Sequence, residues 1–424
     1  MHRNMAVKKT LLLAAVLSLT ACASRDLYQL NLMPAPDIYD EGAIDPFTDT
    51  PPFLLIPYRG MLYATDRKPA TQEDEKHVYL NERGRLLRLG VAKIKFGDGS
   101  ITWEETRRIS LLKNRTDQYP LTISDVTEIG ILDRSLTVFD PTYNVEGHLH
   151  QAGERFAGLI NEKLALSKTK DVYIYVHGFK VVFENPLLVA TELWHFLGYD
   201  GVFIAYSWPS TPSLWAYLTD LETAADSARN FRIFLKYLSE ETDAERIHII
   251  GYSAGTHVVI TALAQLTLQR MDQEKSAVQK ELRIGHVILV GSDYDGSIVA
   301  GFLEDGLLKV PANLAIYLSG TDKALGFAGW LFDRKRLGQM VEISTITPEV
   351  INYLRSTKDL MFIDVTDAEG AAKGNGHAYF RKSPWVSSDV LSTLMYDLRP
   401  EERGLVPAEG SPIWTFPPDY IDRL

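Results

Sequence analysis

The sequence predicts an α/β protein with a mostly parallel central sheet and helices on both of its faces. Short apolar runs rich in β-branched residues alternate with longer helix-compatible stretches, which is the order that βαβ crossovers produce. Several of these runs are continuous rather than alternating, as expected for strands buried on both faces. With 424 residues, 46% of them hydrophobic, the chain is long enough for one large domain with extensions.

The alternating pattern occupies the middle of the chain, and we expect residues 58–398 to form the domain. Upstream, apolar and polar residues alternate over Leu86–Phe96, which predicts strands joined by turns such as Gly97–Gly99. The candidate strands of the parallel region are Asp171–Val176, Gly201–Trp208, Arg246–Ile250, Ile284–Val290, Leu314–Leu318 and Met361–Val365. The candidate helices are Gly153–Lys168, Leu187–Leu197, Ala216–Thr242 and Thr256–Arg270.

The first residues of the chain have the pattern of an export signal. Lys8 and Lys9 precede an apolar run over Leu11–Leu19, which is too short to span a bilayer. The following Leu19–Cys22 stretch resembles a bacterial lipobox, in which cleavage before the cysteine exposes a thiol for lipid attachment. We therefore expect a signal peptide over residues 1–21 and a membrane anchor at Cys22. The alternative is an ordinary secretory peptide that is cut near the same place.

Cys22 is the only cysteine, so the exported chain would hold together through its core and not through an internal disulfide. Several acyl chains on one residue would give stable anchoring, because a single chain binds membranes only marginally. By resemblance to lipoproteins, Ala23 and Ser24 after the cysteine favour the outer membrane over the inner one.

Two terminal segments have little periodicity. Residues 22–57 are rich in proline and acidic side chains, which predicts a tether and lead-in, and residues 399–424 predict a tail that wraps the surface. The net charge is −11, and no basic stripe with interleaved aromatic residues is present, so nucleic acid is not expected as a partner.

The strongest chemical signal is a short β-branched run that leads into Gly251-Tyr252-Ser253-Ala254-Gly255 and then into a helix-compatible segment. Strand, Gly-x-Ser-x-Gly and helix are the context of a nucleophile elbow. The turn is so tight that side chains at the flanking positions would collide, which gives both glycines a steric reason. Ser253 would then lie at a helix N-terminus, where the dipole favours developing negative charge.

A serine needs a base that takes its proton and a carboxylate that orients the base. In α/β hydrolases these follow the serine in the order Asp or Glu, then His, each on a loop after a strand. Asp322 follows the candidate strand Leu314–Leu318, and His377 ends a glycine-rich loop after the next strand. Asp293 and Asp295 follow the preceding strand and are the alternative acids.

An oxyanion hole requires two backbone N–H groups aimed at the developing charge. Ala254, directly after the nucleophile, would supply one. Phe179 would supply the other from the His177-Gly178-Phe179 turn at the end of an apolar strand, where glycine lets the backbone pass close to the substrate. His177 itself is expected to have a structural role.

Together with Trp208-Pro209-Ser210 and Gly376-His377-x-Tyr379-Phe380, these motifs resemble a bacterial branch of the α/β-hydrolase superfamily whose members are described as esterases or lipases of unknown function. The resemblance runs from about Tyr63–Arg67 to about Leu398. It implies the α/β-hydrolase fold and a triad of Ser253, Asp322 and His377. Lys180 departs from the asparagine common in the branch, and Tyr252-Ser253-Ala254 departs from its frequent His-Ser-Met.

These observations favour a lipid-anchored serine hydrolase, esterase- or lipase-like, that acts on an ester or lipid-like small molecule without a cofactor. A phospholipase or thioesterase would use the same triad. A non-catalytic envelope lipoprotein that keeps the fold as a scaffold is the alternative from another class. His148 and His150 lie beside Glu146 in the sequence. We do not expect this pair of histidines to form a metal site, because a third ligand at helical spacing is absent.

Overall fold

The fold is taken from a computed structural model of the chain. The structure describes residues 28–42, 44–72, 74, 77–139, 150–325, 336–339 and 347–424. The expected signal peptide, its cleavage site and Cys22 lie outside these residues, as do Glu146 and His148.

The described residues form one sheet of 12 strands. In chain order these are β1 Gln29–Asn31, β2 Met61–Pro69, β3 Tyr79–Phe96, β4 Pro120–Ile131, β5 Asp171–Val176, β6 Val202–Ser207, β7 Arg246–Tyr252, β8 Ile284–Val290, β9 Asn313–Leu318, β10 Leu360–Asp364, β11 Val406–Pro407 and β12 Ile413–Thr415. Their order across the sheet is β1-β4-β3-β2-β6-β5-β7-β8-β9-β10-β12-β11. Strand pairing is parallel throughout the series β2-β6-β5-β7-β8-β9-β10-β12. It is antiparallel in the pairs β1–β4, β4–β3, β3–β2 and β12–β11.

Helices cover both faces of this sheet. The two hydrophobic clusters that result, one on each face, explain why β5, β6 and β8 are buried along their whole length. The helices are α1 Trp103–Ser110, α2 His150–Ala165, α3 Glu184–Phe196, α4 Tyr217–Glu241, α5 Gly255–Leu268, α6 Lys275–Leu282, α7 Gly296–Glu304, α8 Pro348–Ser356, α9 Tyr379–Lys382 and α10 Pro384–Tyr396. The sheet and its layers agree with the predicted fold class.

The prediction of a tether over residues 22–57 is wrong for the part that the structure describes, because this part is packed into the domain. Gln29–Asn31 pairs antiparallel with β4, and Met33, Ala35 and Tyr39 are buried. The Tyr39 hydroxyl donates to the carbonyl oxygen of Phe196 at 2.8 Å. The proline-rich composition and the lack of periodicity do not reveal that the apolar residues between the prolines reach the core.

The C-terminal segment also differs from the expected surface tail. β12 adds to the sheet beside β10 in parallel register, and Phe416 and Tyr420 are buried. The domain therefore includes this segment as far as Tyr420. A second difference lies upstream, where Leu86–Phe96 belongs to the single strand β3 and the turn after it leads into α1.

Candidate active site

Ser253 lies at a sharp turn between β7 and α5. Its φ is +52°, in the left-handed region that non-glycine residues rarely adopt. Gly255 makes this turn possible, because a Cβ there would lie 2.2 Å from the carbonyl oxygen of His177. At Gly251 a Cβ would meet a methyl of Val259 at 3.1 Å, which is a milder conflict. The Gly-x-Ser-x-Gly pattern thus has a steric cause that is strongest at its second glycine.

The side chains of Ser253, His377 and Asp322 are in contact in series. Oγ of Ser253 lies 2.8 Å from Nε2 of His377, and Nδ1 of that ring lies 2.6 Å from Oδ2 of Asp322. Because a carboxylate only accepts, Nδ1 carries the proton of the neutral ring and Nε2 accepts from the serine hydroxyl. Oδ1 of Asp322 accepts from the backbone N–H groups of Ala324 and Leu325, at 3.0 and 3.1 Å, and these bonds hold the carboxylate in place.

The loop that carries His377 is fastened to the sheet through Tyr379. The buried Tyr379 hydroxyl accepts from the backbone N–H of Gly291 at 2.6 Å and donates to the carbonyl oxygen of Tyr317 at 3.1 Å. These two partners lie at the carboxyl ends of β8 and β9. On another side, the ring of Tyr252 lies 5.0 Å from the His377 ring, centroid to centroid. The imidazole is therefore held by the anchored Tyr379 of its own loop and by the ring of Tyr252, as well as by its hydrogen bonds.

The alternative acid Asp293 is buried nearby but has other partners. Its Oδ2 accepts from the Tyr217 hydroxyl at 2.6 Å, and its Oδ1 lies 3.2 Å from Nε2 of His257. Burial raises the pKa of the Asp293 carboxyl, but the neighbouring His257 and Tyr217 outweigh this effect and bring it below its ordinary value. Nδ1 of His377 donates to Asp322 and not to Asp293.

Asp295 caps a helix. Its carboxylate accepts from the backbone N–H of Ser297 at 2.9 Å, which satisfies a free donor in the first turn of α7. His257 lies one helical turn after the serine and stacks on the ring of Tyr294 at 4.1 Å. The hydrogen bonds that join Ser253, His377 and Asp322 are made among those three side chains.

The turn after β5 approaches the serine closely. A Cβ on Gly178 would lie 2.8 Å from Cβ of Ser253, so only glycine lets the two segments meet this way. Phe179 follows Gly178 and Ala254 follows Ser253, which brings both backbone amides next to this contact. Within the part of the chain that the structure describes, neither amide N–H donates a hydrogen bond. Two donors are thus available beside the serine.

His177 supports this turn as a neutral, buried ring. Its Nε2 lies 3.0 Å from the carbonyl oxygen of Trp208, and Nε1 of Trp208 donates to the carbonyl oxygen of His177 at 2.6 Å. The two rings are stacked at 5.2 Å. Burial, reinforced by the charge of Arg67, lowers the pKa of His177 to about 3, so the ring does not take up a proton near neutral pH.

Sequence reasoning did not assign roles to the hydroxyls of Tyr379 and Tyr217. Tyr379 stands two residues after His377 in a quoted motif, which was an available signal, whereas nothing in the sequence relates Tyr217 to Asp293. Among the described residues, no group of His, Cys, Asp and Glu side chains is arranged to hold a metal ion.

The fold and the site define the chain as an α/β hydrolase. More specifically, it belongs to the family described as "alpha/beta hydrolase of unknown function" (DUF900), whose model matches residues 154–394. This match contains the elbow, the three strands that follow it (β8, β9 and β10) and the His377 loop. The predicted superfamily and fold class are confirmed.

No curated protein matches the chain. Among solved structures, the chain is similar to an inhibited esterase B from Lactobacillus rhamnosis at 12% identity. The similarity covers 54% of this chain and 78% of that one, with a TM-score of 0.27.

Proposed function

We propose that this α/β hydrolase is a serine hydrolase that cleaves an ester bond through an acyl-enzyme on Ser253. One observation carries the proposal: an alcohol, an imidazole and a carboxylate from three separate loops touch in series, at 2.8 and 2.6 Å. A scaffold that only binds has no physical need for this arrangement. The strained backbone at Ser253, at φ +52°, is further support, because such strain persists where function uses it.

The mechanism follows from the directions of these hydrogen bonds. Nε2 of His377 takes the hydroxyl proton while Oγ of Ser253 bonds to the ester carbonyl carbon, and the negative charge moves to the carbonyl oxygen. The backbone N–H groups of Phe179 and Ala254 would donate to this oxyanion. The imidazolium then gives its proton to the departing alcohol, and Asp322 stabilises the positive ring in the meantime.

Deacylation repeats the same steps with water. Nε2 of His377 takes a proton from water as its oxygen attacks the acyl carbon, and the ring returns a proton to Oγ of Ser253 as the acid leaves. Every proton and bond in both halves is accounted for by the chain, the ester and one water molecule.

Two other functions remain as alternatives. A phospholipase or a thioesterase would use the same three side chains and differ only in the group that leaves. A panel of chromogenic esters of increasing acyl length, run beside phospholipid and acyl-thioester substrates, separates these activities by kcat/KM. A binding protein without activity would turn over none of them.

A fluorophosphonate probe tests the proposal, because it forms a covalent bond only with an activated serine. We expect the full chain to be labelled and Ser253→Ala to abolish labelling. Ser124→Ala is the matched control, since it removes an exposed hydroxyl on β4 and should leave labelling intact. A folded wild-type protein that stays unlabelled and hydrolyses no ester would contradict the proposal.

We also propose that the protein is exported and held at the bacterial outer membrane by lipid on Cys22. The support is the basic and apolar pattern before Leu19-Thr20-Ala21-Cys22 and the absence of aspartate directly after it. Within the described residues, none of the helices has the length and apolar character that crossing a membrane requires.

A further inference from the structure

Arg67 is a buried cation at the carboxyl end of β2, on the edge of the sheet that carries the candidate active site. β2 runs parallel to β6 as far as the Thr65–Ser207 pair, and its pairing with β3 is irregular on both sides of Arg67. Burial lowers the pKa of the guanidinium to about 10, so it stays charged at neutral pH. A charge is costly to bury unless its hydrogen bonds are satisfied, so the partners of Arg67 indicate why it is there.

Those partners are neutral oxygens on three separate segments. Nε donates to Oγ of Ser207 at 3.0 Å, and Nη1 donates to Oδ1 of Asn81 at 2.6 Å. Nη1 also reaches the carbonyl oxygen of Ser210 at 3.3 Å, and Nη2 donates to the carbonyl oxygen of Val181 at 2.9 Å. The rigid, planar guanidinium thus fixes the relative positions of β3, the segment after β6 and the segment after β5.

The segment after β5 is the turn from His177 to Val181, and it is fastened at both ends. At the first end, His177 and Trp208 bond to each other in both directions. At the second end, the N–H of Val181 donates to Oγ of Ser210 at 3.2 Å, and this hydroxyl donates back to the carbonyl oxygen of Val181 at 2.9 Å. Arg67 adds the third bond to that same residue.

Between the two ends lies the part of the turn that meets the serine. Gly178 packs against Ser253, and Phe179 offers its free N–H. Lys180 has a φ of +63°, a strained conformation for a side chain other than glycine. Because a strained turn relaxes when its ends are released, the position of the Phe179 amide depends on the bonds at Val181.

We infer that Arg67 is a positioning residue for hydrolysis, which acts by holding Val181 so that the Phe179 N–H is aimed at the oxyanion. This inference rests on the proposed function. It assigns no contact with substrate to Arg67, which lies buried behind the turn. We therefore expect that weakening the hydrogen bonds to Val181 lowers the rate of the chemical step and leaves substrate binding almost unchanged.

Arg67→Lys tests this. Lysine keeps the charge but has one nitrogen in place of three, so it cannot reach Val181, Ser207 and Asn81 together. We expect kcat per active site to fall at least about tenfold while KM stays within about twofold, since an error of 1 Å in placement can cost about 100-fold. Affinity for a boronic acid that forms a tetrahedral adduct with Ser253 should fall by a similar factor, because that adduct occupies the oxyanion hole.

Active sites are counted with the fluorophosphonate probe, so that a loss of folded protein is not mistaken for a loss of rate. Arg115→Lys is the matched control, because Arg115 also donates through its guanidinium to backbone carbonyls, those of Leu32, Met33 and Ile109, in the N-terminal region. It should leave kcat per labelled site unchanged, and a loss equal to that of Arg67→Lys would overturn the inference.

Ser210→Ala is the second variant, and it decides the question if Arg67→Lys does not fold. It removes only the two hydroxyl bonds to Val181 and should lower kcat several-fold with KM unchanged. If the folded variants keep kcat per site within about twofold of an active wild type, Arg67 has only a structural role. The inference is then wrong, whereas the proposed function still stands. A wild type that neither labels nor hydrolyses any ester refutes the proposed function, and the inference with it.

Discussion

Nε2 of His377 lies 2.8 Å from Oγ of Ser253, although 124 positions of the chain separate the two residues. The parallel sheet produces this contact. β7, β8, β9 and β10 are neighbours in that order, so the loops after their carboxyl ends meet at one edge. Ser253 follows β7, Asp322 follows β9 and the His377 loop follows β10, so the strand that leads to Asp322 lies between those that lead to the other two residues.

Asp322→Asn is predicted to lower kcat by about 10³- to 10⁴-fold with little change in KM. An amide in place of the carboxylate no longer favours the tautomer with the proton on Nδ1 of His377, and it does not stabilise the positive ring. Steady-state kinetics on a chromogenic ester measure the effect.

Asp293→Asn is the companion measurement, because Asp293 is also a buried aspartate beside the site but bonds to Tyr217. We expect a loss of less than about tenfold, since the His377 tautomer is unaffected. A larger loss at Asp293 than at Asp322 would assign the acid to the earlier strand and refute the triad as proposed.

Gly291→Ala is predicted to impair catalysis by displacing a ring. A Cβ there would lie 2.9 Å from Cε1 and 3.1 Å from Nδ1 of His377. The imidazole must shift away, and we expect kcat to fall at least about tenfold. Kinetics and chemical denaturation of the same variant separate this effect from a loss of stability.

Gly410→Ala controls for backbone strain. Gly410 has a φ of +70° against +57° for Gly291, but a Cβ on it would have no neighbour within 4 Å. Both variants should lose about 1 kcal/mol of unfolding free energy from the left-handed conformation, and only Gly291→Ala should lose activity. Equal activity in the two would show that the His377 ring tolerates the displacement.

The sequence predicts the parallel strands well because they have few alternatives. Asp171–Val176 and Ile284–Val290 are strands with the expected bounds, since a short, continuous apolar run rich in β-branched residues favours a strand that is buried on both faces. The order of the loops that carry Ser253, Asp322 and His377 follows from the same pattern. Their distances are facts of the structure, and their catalytic roles stay predictions.

Other features depend on contacts that no local pattern encodes. β1 has three residues, too few for a detectable period, and it exists because β4 offers a free edge. The role of Arg67 depends on irregular pairing in β2 and on carbonyl oxygens of Val181 and Ser210, more than 100 positions away. An arginine in a strand favours a side chain whose charged group reaches solvent, and only the assembled sheet shows that Arg67 is buried.

Cys22→Ser is predicted to abolish incorporation of radiolabelled palmitate in a bacterial host that expresses the full chain. Without the thiol no acyl group can be attached, and the protein should move from the membrane fraction to the soluble one. Ser24→Ala, a substitution two positions further on, should leave both labelling and fractionation unchanged. Wild-type protein that is exported without taking up palmitate would favour an ordinary secretory signal.

The buried, neutral His195 is predicted to make the fold less stable in mild acid. Burial, reinforced by the charge of Arg115, lowers its pKa to about 3, whereas an unfolded chain gives histidine its ordinary value near 6.5. Between these two values the unfolded state binds the extra proton, so stability falls as the pH falls, by up to about 1.4 kcal/mol per pH unit. Above about pH 6.5 neither state is protonated, and this dependence disappears.

His195→Gln tests that prediction, because glutamine can still bond to Tyr199 and Ser110, the partners of the ring, and does not titrate. Urea unfolding at several pH values from 8 to 5 should give a shallower decline for the variant than for the wild type. At pH 8 the variant should be the less stable of the two, since the imidazole packs better against Phe47 and Trp103. Parallel stability curves over this range would mean that His195 is protonated in the fold.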